Sequence, residues 1–319
     1  MRAVMCEAYG DPDSLVVREI DSPEPGPGEV KVRLRARGVS YTDLLKVAGT
    51  YQVKSEPPFI PGGEASGEIV AVGPEVTSLA VGDRVLCGGG FAEETVQPAS
   101  ETLKLGPDVD FNAAAAFRSN YATAYYGLQR GRLEAGETLL VHGAAGGVGL
   151  AAVDLGKLMG ARVIATASTP DKLAVCEAMG ADALINYTEG GFRERVKELT
   201  DGRGADVIYD PVGGDVFDES MRCIAPFGRI LIVGFTGGRP GLAKTNHLLI
   251  KDAEVIGYTI GGLQRHRPDW LAKNTHILVA WLNAGRIRPY HSHALPLEQA
   301  AAALELIADR KVMGKALLI

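Results

Sequence analysis

The chain has 319 residues, 46% hydrophobic and 23% charged, the balance of a globular protein of about two domains, which excludes long intrinsic disorder. A formal charge of -6 argues against general nucleic-acid affinity, which needs clustered positive charge. No stretch reaches the roughly 18 apolar residues of a membrane helix, and Cys6, Cys87, Cys176 and Cys223 lie too far apart for a disulfide scaffold, so a reducing, cytoplasmic setting is expected.

The first third reads as short strands. Residues 29–37 alternate Val30, Val32, Leu34 and Ala36 with Lys31, Arg33, Arg35 and Arg37. That is a period of two, with one apolar and one basic face. The basic row reads as a solvated strand face; attraction of an anionic substrate tail is the alternative. Turns at Pro25-Gly26-Pro27-Gly28, Pro61-Gly62-Gly63, Val81-Gly82-Asp83 and Gly88-Gly89-Gly90 predict an all-β unit. The pattern changes after about Asp110. Residues 113–126 read as an apolar helix. Strands at 138–142, 162–166, 183–186, 206–209, 229–233 and 254–257 follow, with helices at 148–159, 170–179 and 192–199 between the first of them. Such alternation predicts an α/β fold with a doubly wound parallel sheet. Amphipathic helices at 270–283 and 297–308 and a last strand at 315–319 close the chain.

The segment Leu139-Leu140-Val141-His142-Gly143-Ala144-Ala145-Gly146-Gly147-Val148-Gly149 joins a strand to a helix. Small residues there let the backbone approach a pyrophosphate, and the N–H groups and dipole of the new helix stabilise its charge. Gly146 and Gly149 match the dinucleotide fingerprint, while Ala144 replaces its first glycine. Ala145, Gly146, Gly147 and Val148 are the candidate phosphate contacts. The next strand ends Ala165-Thr166-Ala167-Ser168-Thr169-Pro170-Asp171-Lys172, without the acid that holds an NAD ribose. Ser168 and Lys172 suit a 2′-phosphate, and Asp171 is expected to point to solvent. Tyr187, after the third strand, either covers the same phosphate or is a half-buried tyrosine at the sheet edge. The nucleotide read from these residues is NADP(H).

These motifs resemble the medium-chain dehydrogenase/reductase superfamily, in its zinc-free quinone oxidoreductase or zeta-crystallin-like branch. The resemblance runs from Gly26-Pro27-Gly28-Glu29-Val30, through Pro61-Gly62-Gly63-Glu64-Ala65 and Val81-Gly82-Asp83-Arg84-Val85, to the glycine loop and Leu297-Glu298-Gln299-Ala300. One departure is Asp154, where the pattern has Gln. The resemblance implies a GroES-like β domain from residues 1–118 and 260–319, with a Rossmann domain, residues 119–259, inserted between. It implies that Thr123, residues 210–213 and Gly234, Phe235 and Thr236 line the nicotinamide side. It also implies a homodimer built through an edge strand at 254–260.

Zinc relatives carry a Cys in a Gly-Val-Cys-His-Thr-Asp stretch and a His in a Gly-His-Glu stretch. Here the first reads Gly38-Val39-Ser40-Tyr41-Thr42-Asp43 and the second Gly62-Gly63-Glu64, so Ser40 and Gly63 stand at the ligand positions and no metal is expected. Without a Lewis acid, hydride acceptors that are already electron-poor are favoured: quinones and α,β-unsaturated carbonyls. The resemblance implies Tyr51 as the proton donor, the position of the proposed donor in related enoyl thioester reductases, and a phenol is protonated at neutral pH; a tyrosine shaping the pocket wall is the alternative. Ser40 replaces the usual Asn of the branch. Thr42 offers a second hydroxyl, and Asp43 reads as structural. Arg118 stands where the family has a small or apolar residue, facing a substrate carboxylate, a nucleotide phosphate or Asp43. The expected function is an NADPH-dependent, zinc-free reductase of quinones or activated enones. The alternatives are an enoyl-CoA reductase and a non-enzymatic NADPH-binding protein.

Overall fold

In the computed structural model, which describes residues 1–319, the chain opens with β1 (Arg2–Met5), β2 (Val16–Glu19), β3 (Glu29–Val39) and α1 (Tyr41–Val47). Next come β4 (Glu64–Val72), β5 (Arg84–Cys87), β6 (Glu94–Pro98), β7 (Leu103–Lys104), α2 (Phe111–Ala115) and α3 (Arg118–Arg130). The alternating region holds β8 (Thr138–Val141), α4 (Gly147–Leu158), β9 (Arg162–Ala167), α5 (Pro170–Ala178), β10 (Ala183–Asn186), α6 (Phe192–Leu199) and β11 (Ala205–Asp210). It continues with α7 (Gly214–Cys223), β12 (Ile224–Ile232), α8 (Thr245–Lys251), β13 (Glu254–Gly257), α9 (Ile260–His266) and α10 (Pro268–Asn283). Strand β14 (His291–Leu295), α11 (Ala300–Ala308) and β15 (Lys315–Leu318) end it. None of these helices is long and apolar enough to cross a membrane.

The chain divides into two compact units: Met1–Arg118 with Leu282–Gly285 and Pro289–Ile319, and Ser119–Trp281 with Arg286–Arg288. The return expected at residue 260 therefore falls later. The reason is aromatic packing on α3: Trp270 meets Tyr126 edge-on at 5.4 Å and Trp281 meets Tyr125 at 5.3 Å. Asn274 adds paired amide hydrogen bonds with Gln129. These contacts hold α10 on the second unit.

In the first unit, β3 is the hub of a seven-stranded sheet ordered β14-β15-β3-β4-β5-β7, with β6 also paired to β3. Val30, Val32, Leu34 and Ala36 form its buried face, as the alternation predicts. The opposite face is not uniformly solvated. Arg33 and Arg35 are exposed, but Lys31 and Arg37 are buried. Strands β4, β6 and β15 crowd β3 from both sides.

The second unit is a six-stranded parallel sheet ordered β10-β9-β8-β11-β12-β13, the doubly wound order of a Rossmann fold. Leu140, Ile164, Ile208 and Ile230, one from each of four central strands, are fully buried in its core. The helix expected over 113–126 is two helices. Asp110 caps α2 by accepting from Ala113 N, and Ala116 N turns back to Asn112 and Ala113, which tightens the last turn and ends the helix before α3 begins. All four cysteines are buried free thiols.

Candidate active site

Parallel strands deliver their connecting loops to one edge of the sheet, and the loops nearest the change of strand order are the usual nucleotide seat. In the second unit, β8 is flanked by β9 on one side and β11 on the other, so the loop after β8 lies at that switch point. Its sharp turn is made by Gly143, at φ +54°, one position before Ala144; that is why an alanine is tolerated at 144. Ala144 is buried and donates its N–H to Thr166 O at 2.9 Å. Ala145 is also buried, Gly146 is the N-cap of α4, and Gly147 and Val148 open the helix. No side chain caps this helix, so its first-turn N–H groups are left for an anion. Gly149 is held by packing: a Cβ there would meet Gly143 O at 2.5 Å and Ala144 O at 2.7 Å.

The neighbouring strand ends add the remaining candidates. Ser168 follows β9 and is half-buried; Thr169 caps α5, accepting from Lys172 N. Asp171 is exposed, as expected, and Lys172 is half-buried in the first turn. The parallel register pairs Asn186 with Ala167, so Tyr187 and Ser168 leave adjacent strands side by side, with Tyr187 43% exposed. On the other side of β8, buried Asp210 ends β11 and accepts from the N–H groups of Val212 and Gly213 at 2.8 and 3.0 Å. The loop after β12 is stitched to this turn: Thr236 donates N–H and Oγ1 to Pro211 O, and Gly237 N donates to Val212 O. Gly234 is half-buried and Phe235 is 48% exposed. Thr123 is half-buried on α3, whose Asn120 side chain lies directly against Gly147. Thr123 on α3 apart, the residues singled out from the sequence thus follow the ends of five neighbouring strands along one sheet edge, with no carboxylate at the end of β9.

Two buried polar groups under this row were not foreseen. His142 has its Nε2 2.9 Å from Ser220 Oγ and its Nδ1 3.2 Å from Thr166 Oγ1. Ser220 Oγ donates to Val216 O at 2.7 Å, so it accepts from His142 and the imidazole carries its proton on Nε2. Burial pushes the His142 pKa down to about 4, which keeps the ring neutral. Asp154 accepts from Tyr121 OH at 2.7 Å and from Arg288 N at 2.8 Å, joining α4 to α3 and to the chain near Arg288. This accounts for an acid at that position; burial raises its pKa. Neither could be read from the sequence, because every partner lies at least 24 residues away and the farthest 134.

In the first unit, Ser40 is the N-cap of α1 in a reciprocal box with buried Asp43: Ser40 N and Oγ donate to Asp43 Oδ2 at 2.9 and 2.7 Å. The Ser40 hydroxyl is therefore committed to Asp43, and Thr42 Oγ1, on an exposed residue, lies 3.0 Å from it. Burial raises the Asp43 pKa, partly offset by the Ser40 hydrogen bonds. Gly63 brings no ligand atom, and the adjacent Glu64 forms a buried ion pair with Lys315. No three His, Cys, Asp or Glu side chains gather in a metal-binding group. Tyr51 follows the C-terminal end of α1. It is half-buried, anchored by its N–H to Leu45 O, and its hydroxyl has no protein partner. The structure groups Ser40, Thr42 and Asp43 at the first turn of α1. Arg118, half-buried, does not pair with Asp43 and makes no ion pair.

A phosphate-binding turn at the switch point of a parallel sheet, in one chain with a GroES-like β unit, is the equipment of a nicotinamide-dependent oxidoreductase. Residues 26–107 match the alcohol dehydrogenase GroES-like domain family, and residues 147–274 match the zinc-binding dehydrogenase family. The chain is 43% identical to the quinone oxidoreductase-like protein 2 homolog of Nematostella vectensis, over 98% of this chain and 87% of that protein. It is 32% identical to the 2-haloacrylate reductase of a Burkholderia species, over 99% of this chain and 98% of that one. The crystal structure of Escherichia coli quinone oxidoreductase complexed with NADPH matches with a TM-score of 0.87 at 29% identity, covering 100% of both chains. The chain belongs to the medium-chain dehydrogenase/reductase superfamily, among its quinone oxidoreductase-like members. The uncapped α4 terminus and the acid-free end of β9 both fit the NADPH that the Escherichia coli structure holds.

Proposed function

We propose that the protein is an NADPH-dependent reductase of quinones or activated α,β-unsaturated carbonyls that works without zinc. The observation that carries this reading is the pair of replaced ligand positions: Ser40, whose hydroxyl is bound to Asp43, and Gly63, which has no side chain. With no ligand set for a Lewis acid, the acceptor has to be electron-poor at the outset. Bound NADPH supplies the hydride. The unpartnered Tyr51 hydroxyl donates a hydrogen bond, then a proton, as charge develops on the acceptor oxygen. Ser40 and Asp43 hold the first turn of α1, which presents Thr42. The Burkholderia relative is named for 2-haloacrylate, an activated alkene bearing a carboxylate, which supports the alkene side of the reading. Unpaired Arg118 suits such an acceptor. The enoyl-CoA alternative draws no support from the arginine row, because Arg33 and Arg35 are already paired with Glu94 and Glu68.

We further propose a cytoplasmic homodimer formed through β13. This strand is paired on one side only, and the preceding α8 exposes Leu249 and Ile250.

The test is NADPH consumption with a quinone and a small enone, before and after chelator treatment of purified protein. Turnover that survives the chelator is expected. Activity that disappears and returns with added zinc contradicts the proposal.

A further inference from the structure

The first unit contains a cavity of about 560 Å³ that none of the candidate active-site residues lines. Its wall includes Arg2, Arg33, Arg35 and Arg37, facing Glu93 and Glu94. Three of these arginines are neutralised in direct ion pairs: Arg2 with Glu93 and Glu298, Arg33 with Glu94, and Arg35 with Glu68.

Arg37 differs. It is only 4% exposed, and its two hydrogen bonds go to carbonyls, from Nε to Ala92 O at 2.8 Å and from Nη2 to Leu34 O at 3.1 Å. Its Nη1 has no protein acceptor, and no carboxylate lies within ion-pair distance. The carboxylates that influence it, Glu93 and Glu298, are already engaged by Arg2. A buried guanidinium held only by carbonyls carries a desolvation cost that a bound anion would offset.

We propose that this cavity binds a small amphipathic carboxylate, with its head on Arg37 and its apolar body against Leu34 and Leu297, which also line the space. The volume falls in the range of small-molecule sites, about 300–1,000 Å³. A single negative charge is favoured over two because Glu93 and Glu94 border the same space. This site is independent of the reductase chemistry.

Octanoate is the probe, with octanamide as its uncharged counterpart, added to protein saturated with NADPH so that the nucleotide site is filled. Calorimetry is expected to show saturable octanoate binding at one site per chain and none for octanamide. Arg37→Met weakens the octanoate affinity by about tenfold or more, the worth of a charge-assisted hydrogen bond. Arg33→Glu, a change at an exposed rim position, weakens it as well and decides the matter if Arg37→Met does not fold. The proposal is overturned by absent octanoate binding, by equal binding of octanamide, or by an affinity that neither substitution changes.

Discussion

Tyr51 owes its proposed role to a hydroxyl with no protein partner, and the consequence is specific. Tyr51→Phe is expected to lower kcat for an enone by about 10²-fold while leaving the KM for NADPH within twofold. An unchanged kcat in steady-state assays would reduce Tyr51 to a wall of the pocket. His142 makes a different prediction. Its folded pKa of about 4 lies below the ordinary 6.5, so the unfolded chain takes up a proton first as pH falls. The stability it contributes is complete above about pH 6.5 and is lost as pH drops towards 4. Between pH 7.5 and 5, urea denaturation should show the wild type losing about 2 kcal/mol more than His142→Asn; equal losses would refute a neutral buried imidazole. Lys315→Met would leave Glu64 buried without its counter-charge, at a cost of about 3–5 kcal/mol in the same measurement. What was legible at this scale was local in the chain. Ser168 and Lys172 sit within five positions and could be read together, whereas the pairing of Ser40 with Asp43 came only from the structure. The pairs His142–Ser220, Asp154–Tyr121 and Glu64–Lys315 exist only through tertiary folding, and no local pattern announces them.

Among the elements, the α4 loop leaves no room for a side chain at Gly149. Gly149→Ala forces a methyl against two backbone oxygens, and a loss of about 1–3 kcal/mol together with weaker NADPH binding is expected from denaturation and fluorescence titration. Strand β13 tests the assembly: Ile250→Glu on the exposed face of α8 should shift sedimentation from dimer to monomer, and a monomeric wild type would contradict the edge-strand interface. Strands and helices with a buried stripe were readable from periodicity, and β9, α5, β10 and α6 fall within a residue or so of their expected bounds. Helix α8 escaped because it buries no residue and so has no stripe to detect. Helix α7 escaped for another reason. Phe217 and Met221 are buried at helical spacing, but the glycines at 213 and 214, both at positive φ, read as a turn.

At the scale of the molecule, the strand order places the glycine turn, Ser168 with Tyr187, and the 210–213 and 234–237 loops along one edge of one sheet. The sequence could suggest this order only through crossover handedness and resemblance, since pairing between strands far apart in the chain leaves no local mark. The late return of the chain to the first unit, at Leu282, depended on Trp270 and Trp281 finding α3, which spacing alone could not show. The central claim is that this sheet edge serves a nicotinamide nucleotide carrying a 2′-phosphate, for reduction of an acceptor already activated. It is tested most directly by kcat/KM for NADPH and NADH with one enone, in chelator-treated wild type and in Ser168→Asp. The expected result is a preference for NADPH of about 10²-fold or more in the wild type, collapsing when a carboxylate stands beside the phosphate. A wild type that prefers NADH, or a preference that Ser168→Asp leaves intact, would contradict it.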